Sequence, residues 1–81
     1  MRPSWEELDR RDLRQLAEAS AREGRTTVEE MFSKTNATGP VRGRRVFYRA
    51  LMEQGWTLPT IGALVGRHHT TVWSALLKDK Q

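Results

Sequence analysis

The sequence predicts an all-α fold, a single small helical domain of four to five helices whose last two form a helix-turn-helix. Three observations carry this. Apolar residues recur at roughly helical spacing from Leu8 onward, and no stretch alternates with the period of a strand. Capping residues and glycines punctuate the chain at helical lengths. The last two apolar segments are short and lie only a few residues apart, around Gly66.

The first helix is expected over about residues 4–23. Ser4 and Glu7 have capping-box spacing, Leu8, Leu13, Leu16, Ala17 and Ala21 follow, and Gly24 is a natural stop. Thr26 and Glu29 form a second capping box and open a helix over about 27–34, with Val28, Met31 and Phe32 on one face. Thr35 to Pro40 reads as loop. A third helix spans about 41–54, apolar at Phe47, Ala50 and Leu51 and closed by Gly55. Thr57 N-caps a fourth over about 58–65, where Pro59 is tolerated in the first turn and Leu58, Ile61 and Val65 share a face. The fifth covers about 69–78 and turns Val72, Ala75 and Leu76 inward.

Composition narrows the function. With 81 residues there is room for one domain. No cysteine is present, which removes disulfides and Cys-based zinc sites. The longest apolar runs have three residues, and the N-terminus lacks a signal-peptide core, so a soluble, cytoplasmic protein is expected, with no membrane contact. An initiating Met1 favours a complete gene product. Residues 1–40 hold seven basic and eight acidic side chains (net −1), and residues 41–81 hold seven and two (net +5). Eleven of the fourteen basic residues are arginine, whose planar fork suits phosphates and guanine edges. A basic half of this kind either solvates an exposed face or meets a polyanion, nucleic acid first among them.

In a helix-turn-helix the second helix enters the major groove and its N-terminal residues meet base edges. At about 100° per residue from an inward face of Val72, Ala75 and Leu76, the side chains of Thr70, Ser74 and Leu77 point outward, flanked by Thr71 and Lys78. His68 and His69 stand at the tip, where free amides also favour phosphate. The plain alternative for this pair is a poor cap on a wet surface.

The order Leu58-Pro59-Thr60-Ile61-Gly62, then Gly66-Arg67-His68-His69-Thr70-Thr71-Val72, resembles the C-terminal DNA-binding domain of the bacterial replication initiator DnaA, a Trp-repressor-like helix-turn-helix. The resemblance covers about residues 13–78. It is strong in the last twenty and weak upstream, at Leu16-Ala17-Glu18, Val28 to Lys34 and Arg42-Gly43-Arg44-Arg45. It implies that His69 and Thr70 read bases in the major groove, and that Arg67 and Thr71 lie near the backbone. Pro59 would shape a phosphate-touching loop. One arginine ahead of the long middle helix would enter the adjacent minor groove; Arg45 matches best, with Arg42 and Arg44 as alternatives. His68 stands where the family has Asp and is expected to give up most of the capping while reading a different base. One glycine before Arg67 is missing, and no phosphate-binding loop of an ATPase is present.

Other residues point less far. Adjacent histidines on a helix diverge, and no third ligand lies at the right spacing, so no metal and no cofactor is expected. Neither is an enzyme: no nucleophile–base order makes mechanical sense in so short a chain. Glu29-Glu30 complements a helix dipole. Trp5 is read as a staple of the first helix and Trp56 as a plug before the helix-turn-helix, while Trp73 either packs beside the turn or touches the DNA backbone.

The expected function is sequence-specific binding of duplex DNA without catalysis, in regulation of transcription or DNA replication, as a phage or mobile-element type of factor, monomeric or weakly dimeric. DNA base-reading falls to His68, His69, Thr70 and Ser74. Backbone or minor-groove contact falls to Arg42, Arg44, Arg45, Pro59, Arg67, Thr71 and Lys78. Two alternatives stand: a generic transposase- or repressor-type helix-turn-helix, and a protein-interaction module that inhibits a larger replication or transcription factor through the acidic N-terminal helix with Glu6, Glu7, Asp9 and Asp12.

Overall fold

The computed structural model describes residues 12–33 and 37–78. Among them are five helices and no strand: α1 (Arg14–Glu23), α2 (Val28–Met31), α3 (Thr38–Glu53), α4 (Leu58–Val65) and α5 (His69–Lys78). The domain is all-helical. The helix α3 touches each of the other four, whereas neither α1 nor α2 meets α4 or α5. Two layers therefore sit on one central helix. The core joins Leu13, Ala17, Ala21, Val28, Met31 and Phe32 from the first layer to Phe47, Tyr48 and Leu51 of α3, and these to Ile61, Leu64, Val65 and Val72 of the second. Phe32 and Phe47 meet edge to face, with centroids 5.4 Å apart.

Several boundaries differ from the expected ones, each for a local reason. A continuous helix over 4–23 is excluded at its middle, because Asp12 has φ 58° and α1 starts only at Arg14. The Ser4–Glu7 box, Trp5, Leu8 and the acidic residues Glu6, Glu7 and Asp9 lie outside the described residues. Gly24 is not the left-handed stop it resembles. Its φ is −80°, and Arg25 adopts φ 59° instead. The amides of Arg25 and Thr26 donate to the carbonyls of Arg22 and Ala21, the paired bonds of a Schellman ending.

Gly24 is required for another reason: a Cβ there would stand 2.6 Å from the Gly43 nitrogen and 2.7 Å from the Gly39 carbonyl oxygen. The end of α1 and the first half of α3 thus cross backbone to backbone. This crossing also draws Thr38, Gly39 and Pro40, expected as loop, into the first turn of α3. Proline is harmless there, where its missing N–H would have had no helical acceptor.

The second capping box is displaced by one residue. Because the Thr26 amide already closes α1, Thr27 becomes the N-cap of α2, and its hydroxyl accepts from the Glu30 amide. The Thr26 hydroxyl donates to the Glu30 carboxylate instead. α2 stops at Met31, short of the expected residue 34, and the Ser33 amide turns back to the Glu30 carbonyl. At the far end of α3, Gly55 has φ 94°, and the Trp56 amide donates to the Leu51 carbonyl. That reversal returns Trp56 to the core.

Candidate nucleic-acid interface

The α4–α5 pair is a tight bend made by two glycines. Gly66 ends α4 with φ 70°, and the Arg67 amide donates to the Gly62 carbonyl at 2.9 Å. Gly62 leaves room for the chain to fold back: a Cβ there would meet the Arg67 carbonyl oxygen at 2.5 Å. Three residues, Gly66 to His68, join the two helices. Thr57 stands at the N-cap of α4, but its hydroxyl pairs with that of Thr60 at 2.7 Å and makes no bond to a helix amide. Pro59 is exposed in the first turn.

His68 caps α5, contrary to the expectation that it would lose this role. Its Nδ1 accepts from the Thr70 amide at 3.2 Å and lies 2.8 Å from the Thr70 hydroxyl. An imidazole nitrogen that accepts here does for the helix what an Asp oxygen does. The His68 and His69 rings stack with centroids 4.3 Å apart. His68, His69, Thr70, Thr71 and Ser74 are all exposed, while Val72 between them is fully buried. Lys78 is the last residue of α5.

The arginines divide sharply. Arg44, expected as a DNA contact, points into the protein and is only 8% exposed. Its Nε donates to the Met31 carbonyl and one terminal nitrogen to the Ser33 carbonyl at 3.0 Å. Burial, and the nearby charge of Arg67, hold its pKa below the ordinary arginine value. It is a pin of the fold, with its guanidinium turned to backbone carbonyls rather than to a DNA surface. Arg67 is half-buried and donates to the same Ser33 carbonyl at 2.8 Å, which ties the α4–α5 turn to the chain leaving α2. Tyr48 beneath them has its pKa raised by burial, with the two guanidinium charges acting in the opposite sense. Arg42 is exposed on the outward side of α3. Arg45 is partly buried, with a buried Nε that has no hydrogen-bond partner among the described residues.

Phase along α3 explains this division. Phe47 and Leu51 fix the inward side, and at 100° per residue Arg44 falls with them, whereas Arg42, Arg45 and Arg49 form a row on the opposite side. Arg49, one of the basic side chains expected to meet phosphate, falls in this row by the same count. Beside it an open groove is lined by Arg49, Met52, Glu53, Trp73, Leu76 and Leu77. Trp73 is 49% exposed and Leu77 44% exposed.

Among the described residues no cluster of three or more metal-ligating side chains occurs, and no helix is long and apolar enough to cross a membrane. No protein-family model, curated protein or solved structure matches the chain.

Proposed function

We propose that this protein binds duplex DNA sequence-specifically through α4 and α5 acting as a helix-turn-helix, and that it regulates transcription or replication without catalysis. The observation that carries the reading is the front of α5. His69, Thr70 and Ser74 are polar and exposed, on a helix whose opposite side is locked into the core. They read base edges, with His68 at the tip. Arg42, Arg45 and Arg49 on α3, with Arg67 and Thr71 at the turn and Lys78 at the end of α5, supply the phosphate contacts. The net charge of +5 over residues 41–81 supports this, as does the likeness of residues 58–72 to the DnaA C-terminal domain. A monomer reading an asymmetric site in the cytoplasm is the expected form.

Selection of bound sequences from a random duplex library tests the reading. An enriched asymmetric motif is expected, with affinity falling on a log–log plot against salt at a slope set by roughly three to five neutralised phosphates. Absence of duplex binding at low salt would overturn it.

A further inference from the structure

The outward row of α5 changes character along its length. Trp73 lies three residues after Thr70 and four after His69, so it stands one turn further along the same ridge. Leu77 follows Trp73 by four and Ser74 by three. The ridge is polar where the helix begins and apolar where it continues, and both apolar side chains are about half exposed. On the reading of α5 as a recognition helix, we propose that Trp73 and Leu77 read thymine, by packing on its C5-methyl group.

Three considerations support this occupant. A leucine side chain has no donor or acceptor, and the indole offers a single donor, so neither can make the bidentate contacts that distinguish base edges most sharply. The thymine methyl is the one apolar group that base pairs present in the major groove. The rise of 1.5 Å per residue carries Trp73 about 5 Å and Leu77 about 10 Å beyond Thr70, one to three base-pair steps further along. The groove that Trp73 and Leu77 line is continuous with Arg49, the end of the Arg42, Arg45, Arg49 row. Glu53 also lines the groove, so the charge that complements phosphate is that of the Arg42, Arg45, Arg49 row beyond it, and this row favours DNA over an apolar protein surface as the cover of the ridge.

The test uses the full chain and its selected duplex, with each thymine of the motif replaced in turn by deoxyuridine, which removes only the methyl. Affinity should fall about threefold to fivefold at each contacted thymine, the effect of uncovering one methyl group. Trp73→Ala and Leu77→Ala should bind the thymine duplex more weakly and be indifferent to deoxyuridine at the matching position. Both side chains are exposed, so folding survives either change, and circular dichroism checks this. Duplex binding that ignores deoxyuridine at every position would overturn this inference and leave the proposed function standing. So would an equal deoxyuridine loss in the variants, or self-association abolished by Trp73→Ala, which would assign the ridge to a protein contact. A chain that binds no duplex at low salt loses the proposed function and, with it, the methyl reading.

Discussion

Besides side-chain contacts such as Phe32 on Phe47, the α1–α2 layer meets α3 backbone to backbone at Gly24, Gly39 and Gly43, whereas the α4–α5 layer meets it through the side chains of Ile61, Leu64, Val65 and Val72. Backbone contact gives close approach but tolerates no added atom. Side-chain contact leaves the far side of each helix unconstrained. The first layer is therefore built for fit, and the second holds a face whose residues can be chosen for chemistry.

The largest effect should come from adding one carbon to the first layer. Gly24→Ala brings a methyl against backbone atoms that cannot rotate away, and should cost about 3 kcal/mol. A domain of this length has about 4–12 kcal/mol in all. Thermal unfolding should fall by about 15 °C; an unchanged midpoint would show that the crossing is looser than described.

Arg44→Met comes next. It keeps the bulk and removes the donors to the Met31 and Ser33 carbonyls, at a cost of about 2–3 kcal/mol in a urea titration. Its DNA affinity, measured where the variant is folded, should be nearly unchanged. A specific loss of binding would return Arg44 to the interface.

The third prediction uses the sole tyrosine. The folded pKa of Tyr48 is raised, so its contribution to stability is complete below the unfolded value of about 10 and is lost as pH rises through the folded value. Unfolding midpoints measured from neutral into strongly alkaline buffer should drop across that window, and Tyr48→Phe should flatten the drop.

Arg25→Gly should stabilise by about 1 kcal/mol, because glycine adopts φ 59° without the Cβ conflict. Smallest in stability is Thr70→Ala, within about 0.5 kcal/mol. Yet it should remove about 1–3 kcal/mol of discrimination between the selected site and random DNA. That last pair of numbers sharpens the contrast most: a residue nearly silent in folding and decisive in recognition.

The helical class was legible because apolar spacing reports which side of a helix is buried, whatever it packs on. Helix ends were less legible. Gly24 has the residue type of a left-handed stop, but a tertiary contact claims it and pushes the left-handed turn onto Arg25. That in turn shifts the capping box from Thr26 to Thr27. Nothing local announces such a contact, since it joins residues 24, 39 and 43. The arginine cluster was a different case. Its composition suggested a basic site at residues 42, 44 and 45, but charge alone does not say which of them faces inward. The phase set by Phe47 and Leu51 separates Arg44 from its neighbours, and the same phase points out Arg49. Residue type understates His68 as a cap, because the geometry at Thr70 needs only a lone pair.

The acceptor at which Arg44 and Arg67 converge belongs to the main chain of Ser33. Every amino acid brings an identical oxygen to that place. A lineage can therefore exchange the residue at position 33 many times without losing the tether, provided the two arginines persist. The dependence runs one way: drift at 33 gives up the Ser33 hydroxyl's bond to the Glu30 carbonyl but keeps the tether's acceptor, whereas drift at 44 or 67 removes a donor. Acidification, which neutralises the carboxylates that arginines more often grip, has no proton to add here. The docking of the α4–α5 turn is thereby insulated from acid, whatever happens to the charged surface around it.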